Sequence, residues 1–373
     1  ITPGTKNGGR SGPTHGHNGM FFVDGIQWRY KLYVQPHLLV HRSPLHVARR
    51  LLNNWRALRA SERIAYVCAD PTNSGDYASH LGIRKLVGRP GLELYCAPVA
   101  LKETCRILAR ISRSSQPWRC VFVGGGGLLQ GCFEPFWKAL LDSAVPFVLF
   151  GVGAAEQLPQ RRVLGADLIA RIARNAAAIH VRDSFTLELI AQHASAVTVG
   201  ICPSVIAVAQ LGGLLRRECT HLLNVVHEAD LEMAGVELAI MRQQLRRTAK
   251  LMNLSYDETN HMAGLTRRLL VKYARAAIVV SSRLHGCIFS YAMDKPFVAV
   301  ACDRKVPAFI ESYAPSAPVI MPRDFSRALT TYFLHETIRN YYGSDLKQHI
   351  NRTTTRMREI LESLGLQNED GHR

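Results

Sequence analysis

Residues 277–311 read AIVVSSRLHGCIFSYAMDKPFVAVACDRKVPAFIE, two apolar runs each followed at once by charge. The run 277–280 is β-branched, short and bounded by polar residues, which marks a strand buried on both faces, as in parallel sheets. Ser281-Ser282-Arg283-Leu284-His285-Gly286 follows directly, where a helix begins. The second run, 297–301, ends in Cys302-Asp303-Arg304-Lys305. Two successive strands therefore end in Arg, His, Asp and Lys. In open α/β sheets ligands collect beyond the carboxyl ends of the strands, and helix N-terminal amides favour anions. An Arg and a His at this spot suggest an acidic or phosphorylated ligand. A helix cap or a solvated surface group explains one such residue. Two charged strand ends in succession favour a site, because perturbed titratable groups cluster in such crevices.

Composition sets the frame for these strands. With 373 residues, 47% hydrophobic and 20% charged, the chain is long enough for two domains that each bury a core. Lys plus Arg number 46 against 29 Asp plus Glu, a formal charge of +17, which favours phosphorylated substrates, acidic lipids or nucleic acid as partners. Nucleic acid is not expected, since zinc-finger, RNP and KH signatures are missing and the basic residues are not interleaved with aromatics. No apolar run reaches the roughly 18 residues of a membrane span, and no secretory pattern opens the chain, so a cytoplasmic protein is expected. The first residue, Ile1, is not an initiator Met, which leaves a preceding segment open. Nine cysteines form no C-x-x-C pair, and several, Cys68, Cys120 and Cys302, are read inside apolar strands. They read as reduced core thiols of an intracellular protein, with no zinc spacing and no metal site.

Along the chain, residues 1–19 are rich in Gly, Pro, Asn and His and read as flexible. An N-terminal extension over 20–62 follows. Its aromatics Phe21, Phe22, Trp28, Tyr30 and Tyr33 suggest a short strand or hairpin, and 44–60 has the spacing of a basic amphipathic helix. Such a helix packs on its own domain or makes a peripheral contact with an anionic membrane. A first Rossmann-like domain is expected over 63–215. Its strand 64–69 leads into the loop Asp70-Pro71-Thr72-Asn73-Ser74-Gly75-Asp76 and a helix over 77–86, and Asn, Gly and Asp at such a place cap and turn the chain. Further strands are expected at 92–97, 120–123, 147–153 and 178–181. The third of these five ends in Gly124-Gly125-Gly126-Gly127, the last in Arg182-Asp183-Ser184. The glycines allow close backbone approach, but neither a P-loop nor a dinucleotide fingerprint is present.

A second Rossmann-like domain is expected over 216–373, starting with a strand at 222–226 and closing with a basic amphipathic helix at 345–364 placed to cross back to the first domain. No clear strand is legible between Met252 and Leu265, so this domain reads as trimmed. The alternation of buried strands and helices in both halves gives an α/β fold of two Rossmann-like parallel-sheet domains facing a cleft, a GT-B-like architecture.

Taken together, SSRLHG with the P-x-V strand leading to D-x-K, Asn73-Ser74-Gly75-Asp76 after the first strand, the Gly124–Gly127 turn and Arg182-Asp183-Ser184 resemble the polysaccharide pyruvyl transferase family over roughly residues 63–311. The chain departs from that family at Cys202-Pro203, where an Asp-Pro pair is common. The resemblance implies transfer of a pyruvyl group from phosphoenolpyruvate to two hydroxyls of a sugar acceptor, forming a ketal. It places donor-binding positions at Asn73, Gly75, Asp76, Gly125, Gly126, Arg182, Arg283, Leu284 and Lys305, and catalytic ones at Arg283 and His285.

The residues fit that chemistry on their own terms. A phosphate and a carboxylate call for fixed positive charge, which Arg182, Arg283 and Lys305 supply. Protonating an enol carbon and deprotonating a hydroxyl call for an acid/base that titrates near neutrality, a role assigned to His285. No redox cofactor and no metal are needed. Two other classes use the same features: a nucleotide-sugar glycosyltransferase of the same architecture, and a non-catalytic binder of acidic glycans or membranes.

Overall fold

A computed structural model of the chain describes residues 63–114, 118–154, 162–341, 343 and 345–366, with single positions at Leu52, Asn54 and Ala57. The expectations for residues 1–19 and for the aromatic segment lie outside the described residues, as does most of the helix over 44–60. Its described positions are helical, and Asn54 and Ala57 are fully buried. Asn54 Oδ1 accepts a hydrogen bond from the backbone N–H of Glu93 at 3.1 Å, so this point of the helix packs on its own protein.

The first half alternates β1 (Arg63–Cys68), α1 (Ser74–Val87), β2 (Leu92–Tyr95), α2 (Pro98–Ile111), β3 (Trp118–Val123), α3 (Glu134–Asp142), β4 (Phe147–Val152), α4 (Ala166–Asn175), β5 (Ala176–Val181), α5 (Ser184–Ala191) and β6 (Val197–Val199). The strands form one six-stranded sheet in the order β2-β1-β3-β4-β5-β6, with every pairing parallel. Alternate residues serve opposite faces. Val121, Val123 and Leu149 enter one apolar cluster, while Cys120, Phe122, Val148 and Phe150 enter another. That double burial is why these strands read as unbroken apolar runs.

Helix α6 (Ser204–Gly212) leads into the second half: β7 (His221–Val225), α7 (Glu228–Met233), α8 (Leu238–Leu251), β8 (Ser255–Thr259), α9 (Arg267–Arg275), β9 (Ala276–Ser281), α10 (Leu284–Ala292), β10 (Phe297–Val300), α11 (Lys305–Tyr313) and β11 (Val319–Ile320). These strands form a second parallel sheet, ordered β11-β10-β9-β7-β8. Helices α12 (Phe325–Ala328), α13 (Thr331–Arg339) and α14 (Leu346–Ser363) complete the described chain.

Strand β8 corrects the sequence reading, which left 252–265 without one. It is an edge strand paired only to β7, so its sequence SYDET lacks the apolar signature of the central strands. Its side chains are tied along the edge instead: Arg242 donates to Glu258, and Lys272 donates to Asp257 at 2.6 Å. The edge strands β6 and β11 went unread because they are only three and two residues long. Cys302 also differs from its reading, lying half-buried just beyond β10 rather than within it.

Two helices join the halves. Helix α6 packs on α1 and α10, and its Val205 and Val208 enter an apolar cluster with Val279, Ile288 and Phe289 of the second half. Helix α14 straps both sides. His349 accepts or donates at 2.6 Å with Tyr291 Oη of the second half, while Met357, Ile360 and Leu361 are buried among Ile64, Phe122 and Phe150 of the first. Each such side chain contributes about 1.5–3 kcal/mol of burial, so α14 fixes one half against the other. Among the described residues no helix is long and apolar enough to cross a membrane.

Candidate active site

Each sheet reverses its strand order once. In the first sheet the crevice opens between β1 and β3, in the second between β7 and β9. Such switch points leave room for a ligand beyond the strand ends. Both crevices open on one cavity of about 230 Å³. The first half lines it with Ala69, Asn73, Asp76, Gly127, Gln130, Phe133, Ala154 and Arg182, and the second with His227, Asp230, Ser282, Arg283, Leu284, His285, Asp303, Lys305 and Val306.

On the first wall, Asn73 caps α1 by accepting a hydrogen bond from Gly75 N–H at 3.0 Å, and Asp76 sits in the first turn of that helix. Gly75 is required by contact: a Cβ there would lie 1.9 Å from His285 Cγ. The loop after β3 curls beneath Asp76. Gly126 takes φ +89°, and its missing Cβ would stand 2.6 Å from Asp76 Oδ1. Arg182, at the end of β5, is 4% exposed and reaches Asp183 Oδ2 through Nε at 3.4 Å. Asp183 Oδ1 in turn accepts from Thr186 N–H at 2.7 Å and from its hydroxyl at 2.6 Å, capping α5. One aspartate thus fixes both a helix and the arginine beside it.

On the second wall, Arg283 is the N-cap residue of α10, and its Nε donates to the Val226 carbonyl at 3.0 Å. Ser281 Oγ accepts from Arg283 N–H at 3.2 Å and donates to Arg283 C=O at 2.8 Å, which sets the sharp exit from β9. Lys305 opens α11, and its Nζ donates to the buried Asp303 at 2.8 Å. His285 bridges the two walls. Its Nε2 stands 3.5 Å from Arg182 Nη1 and 4.0 Å from Cys202 Sγ, and its Nδ1 stands 3.9 Å from Asp76 Oδ1. Since Arg182 can only donate, Nε2 is the acceptor and the ring proton sits on Nδ1, facing Asp76.

Burial and charge then set the protonation states. Burial pushes the Asp76 carboxyl up to about 7, against the opposing pull of Arg182, with Arg283 and Lys305 adding to that pull. Burial also holds the His285 imidazole well below its ordinary value, helped by Arg182, His261, Lys305 and Arg283. This corrects the expectation of a histidine titrating near neutrality. At pH 7 burial and the surrounding cations keep His285 neutral, and the group that titrates there is Asp76.

The structure brings Asn73, Asp76, Arg182, Arg283, Leu284, His285 and Lys305 to one cavity. Gly75, Gly125 and Gly126 stand behind it, shaping the backbone under His285 and Asp76, and Gly127 is the glycine that reaches the wall. Sequence reasoning passed over His227, Asp230, Gln130 and Phe133. The first two had a signal: they follow β7, a third strand end of the second sheet, and His227 Nδ1 lies 3.4 Å from Asp230 Oδ2. Gln130 and Phe133 follow the glycine turn and carry no pattern of their own. Cys202, where the family commonly has Asp, is buried against His285, Ser79 and Ser204 and places a thiol beside Arg182.

Two parallel-sheet halves around a cavity lined by Arg182, Arg283 and Lys305 together with Asp76, Asp230 and Asp303 define a GT-B-like α/β protein. Residues 73–304 match the family model of polysaccharide pyruvyl transferase, well over half the chain, and the chain belongs to that family. No curated protein sequence matches the chain. Among solved structures, the fold is similar to the UDP-GlcNAc 2-epimerase from Neisseria meningitidis bound to UDP-GlcNAc, with a TM-score of 0.51 at 9% identity over 80% of this chain and 99% of that one. A putative UDP-N-acetylglucosamine 2-epimerase from Listeria monocytogenes gives a TM-score of 0.53 at 10% identity over 82% and 97%. At these identities the similarity concerns the fold alone.

Proposed function

We propose that the protein transfers the pyruvyl group of phosphoenolpyruvate to two hydroxyls of one sugar residue in a glycan, forming a cyclic ketal and releasing phosphate. The observation that carries this reading is the convergence of Arg182, Arg283 and Lys305 on a cavity that also holds a titrating Asp76 against a neutral His285. The three cations bind the phosphate and carboxylate of the donor. Protonation of the enol carbon makes the adjacent carbon electrophilic, and the first sugar hydroxyl adds to it with loss of its proton. The carbon–oxygen bond to phosphate then breaks, and the second hydroxyl adds, losing its proton in turn. Of the two hydroxyl protons, one balances the new methyl group and the other leaves with phosphate.

Asp76 is the proton donor to the enol carbon, since near neutrality its carboxyl is partly protonated. His285 is the base for the attacking hydroxyl. Donor binding engages Arg182 and frees Nε2, and the negative charge of the donor raises the affinity of the imidazole for a proton. No step calls for a redox cofactor or a metal.

Calorimetry tests the donor. Phosphoenolpyruvate binds, and Arg283→Ala weakens it severely. Tight binding of UDP- or GDP-sugars with no binding of phosphoenolpyruvate would overturn the reading in favour of glycosyl transfer.

A further inference from the structure

A second cavity, of about 510 Å³, adjoins the first along the turn that follows β3. Gln130, Glu134, Arg162 and Val163 are among its lining residues, and Gln130 lines both cavities. The side-chain amide of Gln130 stands at the junction: its Nε2 lies 2.4 Å from the point where Gly127, a wall residue of the first cavity, would carry a Cβ. Phe133, half-buried on the same turn, faces the first cavity beside it.

The floor of this groove is held in place. Gly131 N–H donates to the Arg162 carbonyl at 2.7 Å, Leu164 N–H donates to the Leu129 carbonyl at 3.3 Å, and Gln130 and Val163 form an antiparallel bridge. Beneath it the buried Trp137 donates through Nε1 to the Leu128 carbonyl at 2.8 Å. A preorganised polar groove that meets a half-buried aromatic, Phe133, in the adjoining cavity is suited to a sugar chain. The Gln130 amide offers donors and an acceptor in one plane for hydroxyls, the Phe133 ring offers an apolar face for ring C–H groups, and Arg162 and Glu134 offer charged hydrogen bonds at the rim.

The first cavity, at about 230 Å³, falls below the roughly 300–1,000 Å³ usual for small-molecule sites, so it suits a compact donor and leaves the sugar to a neighbouring space. The groove of about 510 Å³ lies within that range. A third cavity, of about 390 Å³ beyond β7 and β8, shares no lining residue with the first.

We infer that the groove beside Gln130 is the acceptor subsite and that it takes an oligosaccharide rather than a lone sugar. The residue to be modified lies over Gln130 and Phe133 with its two hydroxyls turned into the donor cavity, and the next residue of the glycan lies against Arg162 and Glu134. This inference rests on the pyruvyl-transfer reading above.

The test compares donor binding with acceptor kinetics. The donor Kd is measured by calorimetry with phosphoenolpyruvate alone. Turnover is then followed by phosphate release on methyl glycosides of galactose, glucose and N-acetylmannosamine and on disaccharides ending in the same sugars. The wild type prefers the disaccharide of its sugar class. Glu134→Ala and the exposed Arg162→Ala, neither of which lines the donor cavity, each raise the acceptor KM roughly tenfold at little cost to kcat, with the donor Kd unchanged. An unchanged acceptor KM in both variants, or equal use of methyl glycoside and disaccharide by the wild type, would overturn the subsite. Failure of the wild type to bind phosphoenolpyruvate would instead overturn the reading beneath it, and the two failures are told apart by the calorimetry.

Discussion

The two walls of the cavity are built by different means. The first, after β1, β3, β4 and β5, adds close approach to the Asp183 tie on Arg182: Gly75 lets α1 lie against the His285 ring, Gly126 lets a turn curl under Asp76, and a Cβ at Gly153 would stand 2.3 Å from the Arg182 guanidinium. The second, after β9 and β10, works by ties: Ser281 to the Arg283 backbone, Arg283 to the Val226 carbonyl, Asp303 to Lys305. A site split between two halves needs both. The glycines let groups from distant strands meet, and the polar ties keep long cationic side chains from folding out into solvent. Errors of shape should therefore dominate on one wall and errors of charge geometry on the other.

The largest effect is expected at Asp76, where both halves meet. Asp76→Asn removes the proton donor and should lower kcat by about 10²–10⁴. Its stability should move the opposite way at high pH. The folded carboxyl holds its proton up to about 7, against an ordinary value of 3.8, so the native state binds a proton that the unfolded chain lacks between those values. The contribution of Asp76 to stability falls as pH rises from about 4 to about 7, and Asn abolishes that fall. Thermal melts should show the variant gaining on wild type at pH 8 and the gap closing toward pH 4.

Next comes Gly75→Ala, which drives a backbone-anchored methyl into His285 without altering any charge. A displacement of about 1 Å at a reacting group costs about 100-fold, so activity should fall by that order while phosphoenolpyruvate still binds. An active Gly75→Ala enzyme would break the contrast between the walls. On the second wall, Arg283→Lys keeps the charge and loses the fork, and the donor Kd measured by calorimetry should rise about tenfold with kcat less affected. The smallest change is expected at Cys202→Asp, which sets a carboxylate beside Nε2 of His285. NMR titration should place the imidazole pKa higher than in wild type, because an opposite charge favours the protonated ring.

Much of this was legible in the sequence where side chains are buried on both faces. Runs such as CVFV and AIVV announce central parallel strands, and the charges that follow them mark strand ends, which is how Arg182, Arg283, His285 and Lys305 were found. What stayed hidden obeys the same physics. Strand β8 is an edge whose polar residues satisfy one another, so its apolar signal is absent. Gln130 and Phe133 enter the cavity from an irregular turn with no periodicity. The neutrality of His285 comes first from burial between the two halves and then from cations on three separate strand ends, neither of which residue type discloses. The histidines also show the limit of composition. His261 is more buried than His285, but its Nε2 is bonded to Tyr273 Oη at 2.7 Å and its ring packs on Phe289, a structural placement that sequence alone does not separate from a catalytic one.

The central claim is pyruvyl transfer at this cavity, and the most direct measurement is the product. The protein is incubated with phosphoenolpyruvate and galactose, glucose or N-acetylmannosamine glycosides, with phosphate and product mass followed together and His285→Ala as control. The account predicts acceptor-dependent phosphate release and a product heavier by one pyruvic acid less one water, both lost in the variant. Phosphate release without that mass gain, or the same product from His285→Ala at the wild-type rate, would contradict it.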